Sequence, residues 1–167
     1  AGMDWRTLEG VDLSIPANQY PRVGGSQEDK TPAEIREEAK NQIWISTLGG
    51  VALWDRGVLS SFTVADGLAD NRVICATAAR GRVWFGTWRG VSLWEGGALR
   101  SFGASDGLPG SPVTAVHVDE TGVVWLGHAW DGLWSYDGQT FRSSEIAGGG
   151  QRLSVHTMYE DAAGQLW

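Results

Sequence analysis

At 167 residues and a formal net charge of −7, the chain is long enough for one sizeable core but too acidic for nucleic acid or an anionic membrane surface, which want a basic face. A single cysteine, Cys75, excludes an internal disulfide framework, and no apolar run approaches the ~18 residues of a membrane span. Glycine supplies 24 residues, roughly double the usual ~7%, as expected where tight turns recur.

No signal-peptide pattern opens the sequence, which is uninformative because a secreted chain has lost its own. The first quarter is a degenerate copy of the second. Thr7–Leu13 aligns at an offset of 40 with Thr47–Leu53, so it reads as a turn and strand, with Trp5 on the strand before it. Residues 14–31 lose the pattern. Residues 31–41 carry a conflict. Thr31-Pro32-Ala33-Glu34 is a helix capping box, whereas the repeat register demands a strand. Register is a tertiary constraint and propensity a weak prior, so the strand is favoured.

Three near-copies of one phrase come next: WISTLGGVALW at 44–54, WFGTWRGVSLW at 84–94 and WLGHAWDGLWSY at 125–136. Their leading tryptophans, with Trp167, step by 40, 41 and 42. Phe62, Phe102 and Phe141 close a later run in each copy, and Asp66-Gly67-Leu68 recurs as Asp106-Gly107-Leu108. Each unit therefore holds four short β-type runs, named A to D, punctuated by glycine. In one unit they are VTAVHVD, GVVWLGH, GLWSYDG and TFRSSE. A period near forty with four strands predicts an all-β fold, a β-propeller of four-stranded antiparallel blades with about four repeats in this chain. One propeller domain or segment is expected over 1–167. The degenerate repeat spans 3–40, clear repeats span 41–80, 81–121 and 122–162, and a further one starts at 163–167.

Tryptophans that recur in every unit are expected in the packing between blades: Trp44, Trp84, Trp125 and Trp167 on strand B, and Trp54, Trp94 and Trp134 on strand C. Trp88 and Trp130 break this rule, because they stand in the B–C turn where the first clear unit has Leu48 and Gly49. In a propeller the B–C and D–A turns share the face that opens on the central channel. Trp88, Arg89, His128, Trp130 and Asp131 are therefore the candidate ligand-binding residues. Capping of the blade by the two indoles is the competing reading. Cys75, on an inner A strand, is expected to be buried and inert.

The phrases WFGTWRGV (84–91), ISTLGGV (45–51), FTVADGLADNRV (62–73) and FGASDGLPGSPV (102–113) resemble the two-component regulator propeller repeat. Its pattern is D-x-x-G-x-L-W-x-G-T-x-x-G-L, then F-x-x-Y-x-x-x-D-G-L-P-x-N-x-V. The resemblance covers about residues 41–167. It implies the periplasmic sensor propeller of a hybrid histidine kinase, often for glycan fragments, and hence an extracytoplasmic location. The chain departs from the pattern where repeat one lacks Asp-Gly-Leu-Pro and where His128 replaces the threonine of the Gly-Thr pair.

Catalytic patterns give little. Gly103-Ala-Ser105-Asp-Gly107 fits G-x-S-x-G, but it sits in a D–A turn whose sister has alanine at the serine's place, so Ser105 is not expected as a nucleophile. His117, His128 and His156 lack metal spacing, and no metal or cofactor is expected. Asp66 and Asp106 read as turn-forming residues. The favoured function is a non-catalytic sensor that binds a neutral or weakly charged carbohydrate through the B–C turn face. Net charge disfavours acidic polysaccharides, although Arg89 could pair with one carboxylate locally. Two alternatives stay open: a scaffold or self-assembling propeller piece, natural or engineered, with no small ligand, and a streptogramin-lyase-like enzyme. Ring closure is expected either within one chain or by self-association, with 153–159 bonded to residues 3–8 of its own or a partner chain.

Overall fold

A computed structural model describes residues 42–144 and 153–167. The degenerate repeat 3–40, Trp5 and the strand-or-helix conflict at 31–41 lie outside the described residues. Those described fall into two units, 42–45 with 52–61, and 46–51 with 62–144 and 153–167. All candidate site residues belong to the second.

The described chain is all-β, in three antiparallel sheets. The first holds β1 (Gln42–Thr47), β2 (Gly50–Asp55) and β3 (Val58–Phe62) in that order. The second holds β4 (Val73–Ala79), β5 (Arg82–Thr87), β6 (Gly90–Glu95) and β7 (Ala98–Phe102). The third holds β8 (Val113–Val118), β9 (Val124–His128), β10 (Leu133–Tyr136) and β11 (Phe141–Ser144). Strands A to D of the sequence pattern are β4 to β7 and β8 to β11. Glycine closes the tight hairpins: Arg56-Gly57 and Gly96-Gly97 both sit at positive φ, as a two-residue hairpin turn requires.

Each period gives three strands to one sheet and the fourth to the next. The link from β3 to β4 starts with a 3₁₀ turn, Val64–Asp66, in which the Asp66 carboxylate accepts from the Thr63 N–H at 2.9 Å and the Thr63 hydroxyl at 3.0 Å. It then passes β7 and β6, where the Ser101 hydroxyl donates to the Gly67 carbonyl and the Ala69 N–H donates to the Ser92 hydroxyl at 2.9 Å. Asp106 repeats this role in the next link, accepting from the Gly103 N–H at 2.9 Å. Both aspartates are turn-formers, as their recurrence suggests. Ser105 lies in that 3₁₀ turn with its hydroxyl 3.3 Å from Asp106, not at a strand-to-helix elbow.

Sheets two and three pack face to face. Trp84, Val91, Leu93 and Phe102 meet Val116, Val124, Leu126 and Tyr136 in one apolar cluster. Each such side chain contributes on the order of 1.5–3 kcal/mol when fully buried. Glycine lets the inner strands approach. A Cβ at Gly86 would lie 2.9 Å from the Val113 carbonyl oxygen and 2.4 Å from the Cys75 sulfur. Side chains then tie sheet to sheet: Thr77 donates to the Val116 carbonyl at 2.7 Å. Cys75, expected to be buried, is half-buried against this seam, and burial pushes its thiol pKa up to about 11, which disfavours the reactive thiolate.

Two strand expectations need correction. Trp134 does not occupy the place of Trp94. Val83 pairs with Trp94, and the matching pair in sheet three is Val124 with Tyr136, whereas Trp134 stands opposite Leu126. The cause is a B–C turn one residue longer in sheet three, which slips strand C relative to the sequence phrase. Aromatic contacts agree: Phe62 packs on Trp94 at 4.9 Å, and Phe102 packs on Tyr136 at 5.4 Å. The second correction concerns 153–159, expected as a strand. It forms no regular strand among the described residues. Its backbone accepts from the Gly132 N–H at Leu153 and donates from Val155 to the His128 carbonyl, both at 3.0 Å. Further along it pairs at Tyr159 with Trp167, Glu160 with Leu166 and Asp161 with Gln165, while its expected partner, residues 3–8, lies outside the described residues.

The strand B tryptophans share a position but not an environment. Trp84 is 3% exposed under sheet three, while Trp125 is half-buried and Trp167 exposed. Trp125 donates its indole N–H to Asp119 at 2.8 Å, and Trp167 donates to Asp161 at 2.9 Å. The equivalent of Asp119 before Trp84 is Ala78, so that indole has no carboxylate to hold it at the edge.

Candidate functional site

A buried threonine builds the B–C turn of sheet two. Thr87 donates to the Gly90 carbonyl at 2.8 Å and accepts from the Arg89 N–H at 3.3 Å. Thr47 holds Gly50 and Gly49 in the same way, at 2.9 and 3.0 Å. Gly90 is required: its φ is +142°, and a Cβ there would lie 2.2 Å from the Phe102 carbonyl oxygen. Both ends of the turn are thus fixed, and its two middle residues project outward. Leu48 is 80% exposed and Trp88 43% exposed. A rigid turn with free middle positions is suited to carrying recognition residues.

The D–A turn comes to the same face, as expected. The Trp88 N–H donates to the Arg72 carbonyl at 3.1 Å, and in sheet three the Ala129 N–H donates to the Pro112 carbonyl at 2.9 Å. This contact brings in two residues that the sequence pattern did not single out, Asp70 and Arg72. Arg72 grips Asp70 with both ends of its fork, Nε to Oδ1 at 3.2 Å and Nη2 to Oδ2 at 3.3 Å. Its guanidinium also lies over the Trp88 ring, 4.6 Å from the centroid. Arg89 approaches the same carboxylate, Nε to Oδ2 at 3.6 Å. These arginine contacts, Arg72's hydrogen bonds first, hold the Asp70 carboxyl below the ordinary value, although burial opposes them. The signal available in sequence was the shared face itself, which puts the end of 62–73 beside 87–90.

His128 takes the threonine's place in sheet three but is fully buried, at 0% exposure. A side chain with no exposed surface cannot touch a ligand at the rim, so its expected part as a contact residue is replaced by a supporting one. Its Nδ1 lies 3.2 Å from both the hydroxyl and the carbonyl oxygen of Ser111, and its backbone N–H donates to the Gly132 carbonyl at 2.8 Å. Nε2 is buried with no hydrogen-bond partner among the described residues. Burial holds the imidazole pKa below its usual value, against the Ser111 hydrogen bond and the Asp131 charge, which raise it.

Above His128 the longer turn presents Trp130, 57% exposed, and the exposed Asp131. Trp134 supports this turn from below. It packs edge-on to His128 at 6.3 Å and donates its indole N–H to the Asp131 carbonyl at 3.1 Å. The expected five residues thus divide into two clusters with one prop. Trp88 and Arg89 join Asp70 and Arg72. Trp130 and Asp131 stand over His128 and Trp134. Neither His117 nor His156 joins them: His117 bonds Glu160 at 2.8 Å and His156 lies 3.2 Å from Ser154. No group of histidine, cysteine and carboxylate residues with metal-binding geometry occurs among the described residues. No helix among them is long and apolar enough to cross a membrane.

No protein-family model matches the chain, and no curated protein matches it either. Similar solved structures include two of the extracellular domain of BT4673 from B. thetaiotaomicron, described in one as a one-component and in the other as a hybrid two-component system. Identities are 14% and 13%, with TM-scores of 0.40 and 0.44. Each match covers 76% of this chain and 24% of the other, so the chain spans about a quarter of that domain's length.

Proposed function

We propose that the three sheets are blades of a β-propeller and that its B–C turn face binds an extracellular carbohydrate without chemical change, as the input of an extracytoplasmic sensor. The observation that carries the reading is the exposure of Trp88 and Trp130 in equivalent turns, while Trp84, on the strand that leads into the first of them, is buried. An indole offers flat apolar area to the C–H face of a sugar ring. Arg72 and Arg89 beside Trp88, and Asp131 beside Trp130, can exchange hydrogen bonds with hydroxyls, the usual mix of an apolar wall and a few polar groups. His128 and Trp134 act through the turn they support. The sensor role rests on the resemblance of 41–167 to the two-component regulator propeller repeat.

Screening oligosaccharides by tryptophan fluorescence tests the reading. Sugars exchange water hydrogen bonds for protein ones at small net gain, so binding should be micromolar or weaker. Quenching by a defined oligosaccharide, lost in Trp130→Ala, supports it. No response across a broad panel favours the scaffold reading instead. That second reading has its own observation in the exposed Leu153, Tyr159 and Trp167, which together offer apolar surface for self-association. A mass above the monomer in light scattering would support it.

A further inference from the structure

The charge at the sheet-two turn differs from that of the whole chain. Asp70 is committed. Its two oxygens take the Arg72 backbone N–H at 2.8 Å, the two fork contacts of the same arginine, and the approach of Arg89. One carboxylate therefore faces two guanidiniums, and the cluster carries one net positive charge on a chain of net −7. The Arg89 side chain is 75% exposed and meets Asp70 only through Nε. Arg72 is fixed by its fork and by the Trp88 ring beneath it, so it is oriented before any ligand arrives.

The same geometry changes what Trp88 offers. A guanidinium occupies one face of the indole, so a sugar meets a stacked cation on that side. The equivalent D–A turn in sheet three has Gly110 and Pro112 where sheet two has Asp70 and Arg72, and its B–C turn adds only an acid, Asp131. The positive cluster is therefore particular to one turn and is not a property of the repeat.

We propose that Arg72 and Arg89 form a subsite for the carboxylate of a hexuronate-containing oligosaccharide, with Asp70 as the residue that positions both guanidiniums. The inference rests on the carbohydrate-binding function proposed for this face and names the sugar class. It reverses the expectation, drawn from net charge, of a neutral ligand, because the local field at the turn decides the contact at these distances. Asp70 takes Nε and Nη2 of Arg72 and draws Nε of Arg89, so the remaining Nη donors of the two guanidiniums are what a ligand carboxylate meets, and such charge-assisted bonds are the strong ones.

The experiment is a calorimetric titration of the chain with oligogalacturonate and with a neutral galacto-oligosaccharide of equal length. The acidic sugar should bind about tenfold more tightly, as one charge-assisted contact warrants. Arg89→Gln should bring it down to the neutral sugar's level, Arg89→Lys should retain part of the preference, and raising the salt should shrink the gap. Melting curves establish that the variants fold. Equal affinity for the two sugars, or an acid preference that survives Arg89→Gln, overturns the inference and leaves the carbohydrate reading standing. Binding of neither sugar overturns both.

Discussion

Sheets two and three are written in the same phrase, and comparing them separates what the repeat dictates from what each copy adds. Both place a tryptophan at the same point of strand B. In sheet two a second sheet covers it, and Trp84 disappears into an aromatic group with Phe102 at 6.0 Å and Tyr136 at 5.8 Å. In sheet three Trp125 stays half-buried and is held by a carboxylate. Both begin the B–C turn with a buried polar side chain. Thr87 closes a short turn with a charged cluster above it, whereas His128 underpins a longer one with Trp130 at its tip. The strand framework is shared, while the cover over the strand B tryptophan, the aromatic residues of strand C and the B–C turns differ.

The largest expected effect lies in the tryptophan pair. Trp84→Ala should cost about 3–5 kcal/mol, as large-to-small core changes do. Trp125→Ala should cost less, about 2–3 kcal/mol, because its ring is only half-buried. Equal denaturant midpoints for the two variants would mean that the outer face of sheet three is covered in solution. Next comes the close approach at the seam. Gly86→Ala puts a Cβ against a backbone carbonyl and should cost about 1–3 kcal/mol. Gly103→Ala, whose Cβ would meet nothing nearer than the Arg89 carbonyl oxygen at 3.6 Å, should stay within about 0.5 kcal/mol.

Acid should then distinguish the two sheets further. Burial alone would raise the Asp119 carboxyl. Donors from Thr121, Trp125, Val123 and Gly122 more than reverse this and hold it below its ordinary value. With the folded pKa depressed, this stabilisation is full above the unfolded value near ~3.9 and is lost as pH falls through the folded one. Asp119→Ala should remove that acid dependence and lower stability by about 1–2 kcal/mol at neutral pH, discounted for partial exposure. Sheet two has Ala78 at this position and gains no such dependence.

His128 titrates in a higher window. Its folded pKa is depressed, so the unfolded chain takes up the proton first. Stability should therefore fall as pH drops below about 6.5 and level off below the folded value. His128→Gln should flatten the melting temperature between pH 5 and 7. A profile unchanged by this substitution would show that the imidazole does not titrate alone there.

The sequence made the strand order, the strand bounds and the sharing of one face by the B–C and D–A turns legible, because period and glycine punctuation carry that information. The position of Tyr136 was not legible. A single extra residue in the turn after His128 slips the register, and matching tryptophan to tryptophan chose the wrong pairing. The Asp70–Arg72 grip was hidden because it depends on a side-chain rotamer in a turn. The burial of His128 was hidden because replacing threonine does not reveal which way the larger ring will point.

The central claim is that the exposed turn tryptophans bind while the strand tryptophans hold the fold. Its most direct measurement is a calorimetric titration of Trp130→Ala and the parent with the same oligosaccharide, paired with melting curves. The account predicts binding weakened at least about fivefold, since aromatic anchors carry a large share of binding energy. It also predicts a melting temperature within about 2 °C of the parent, as expected for an exposed turn residue. Parent-like affinity in Trp130→Ala, or a loss of binding that comes only with a large loss of stability, would contradict it.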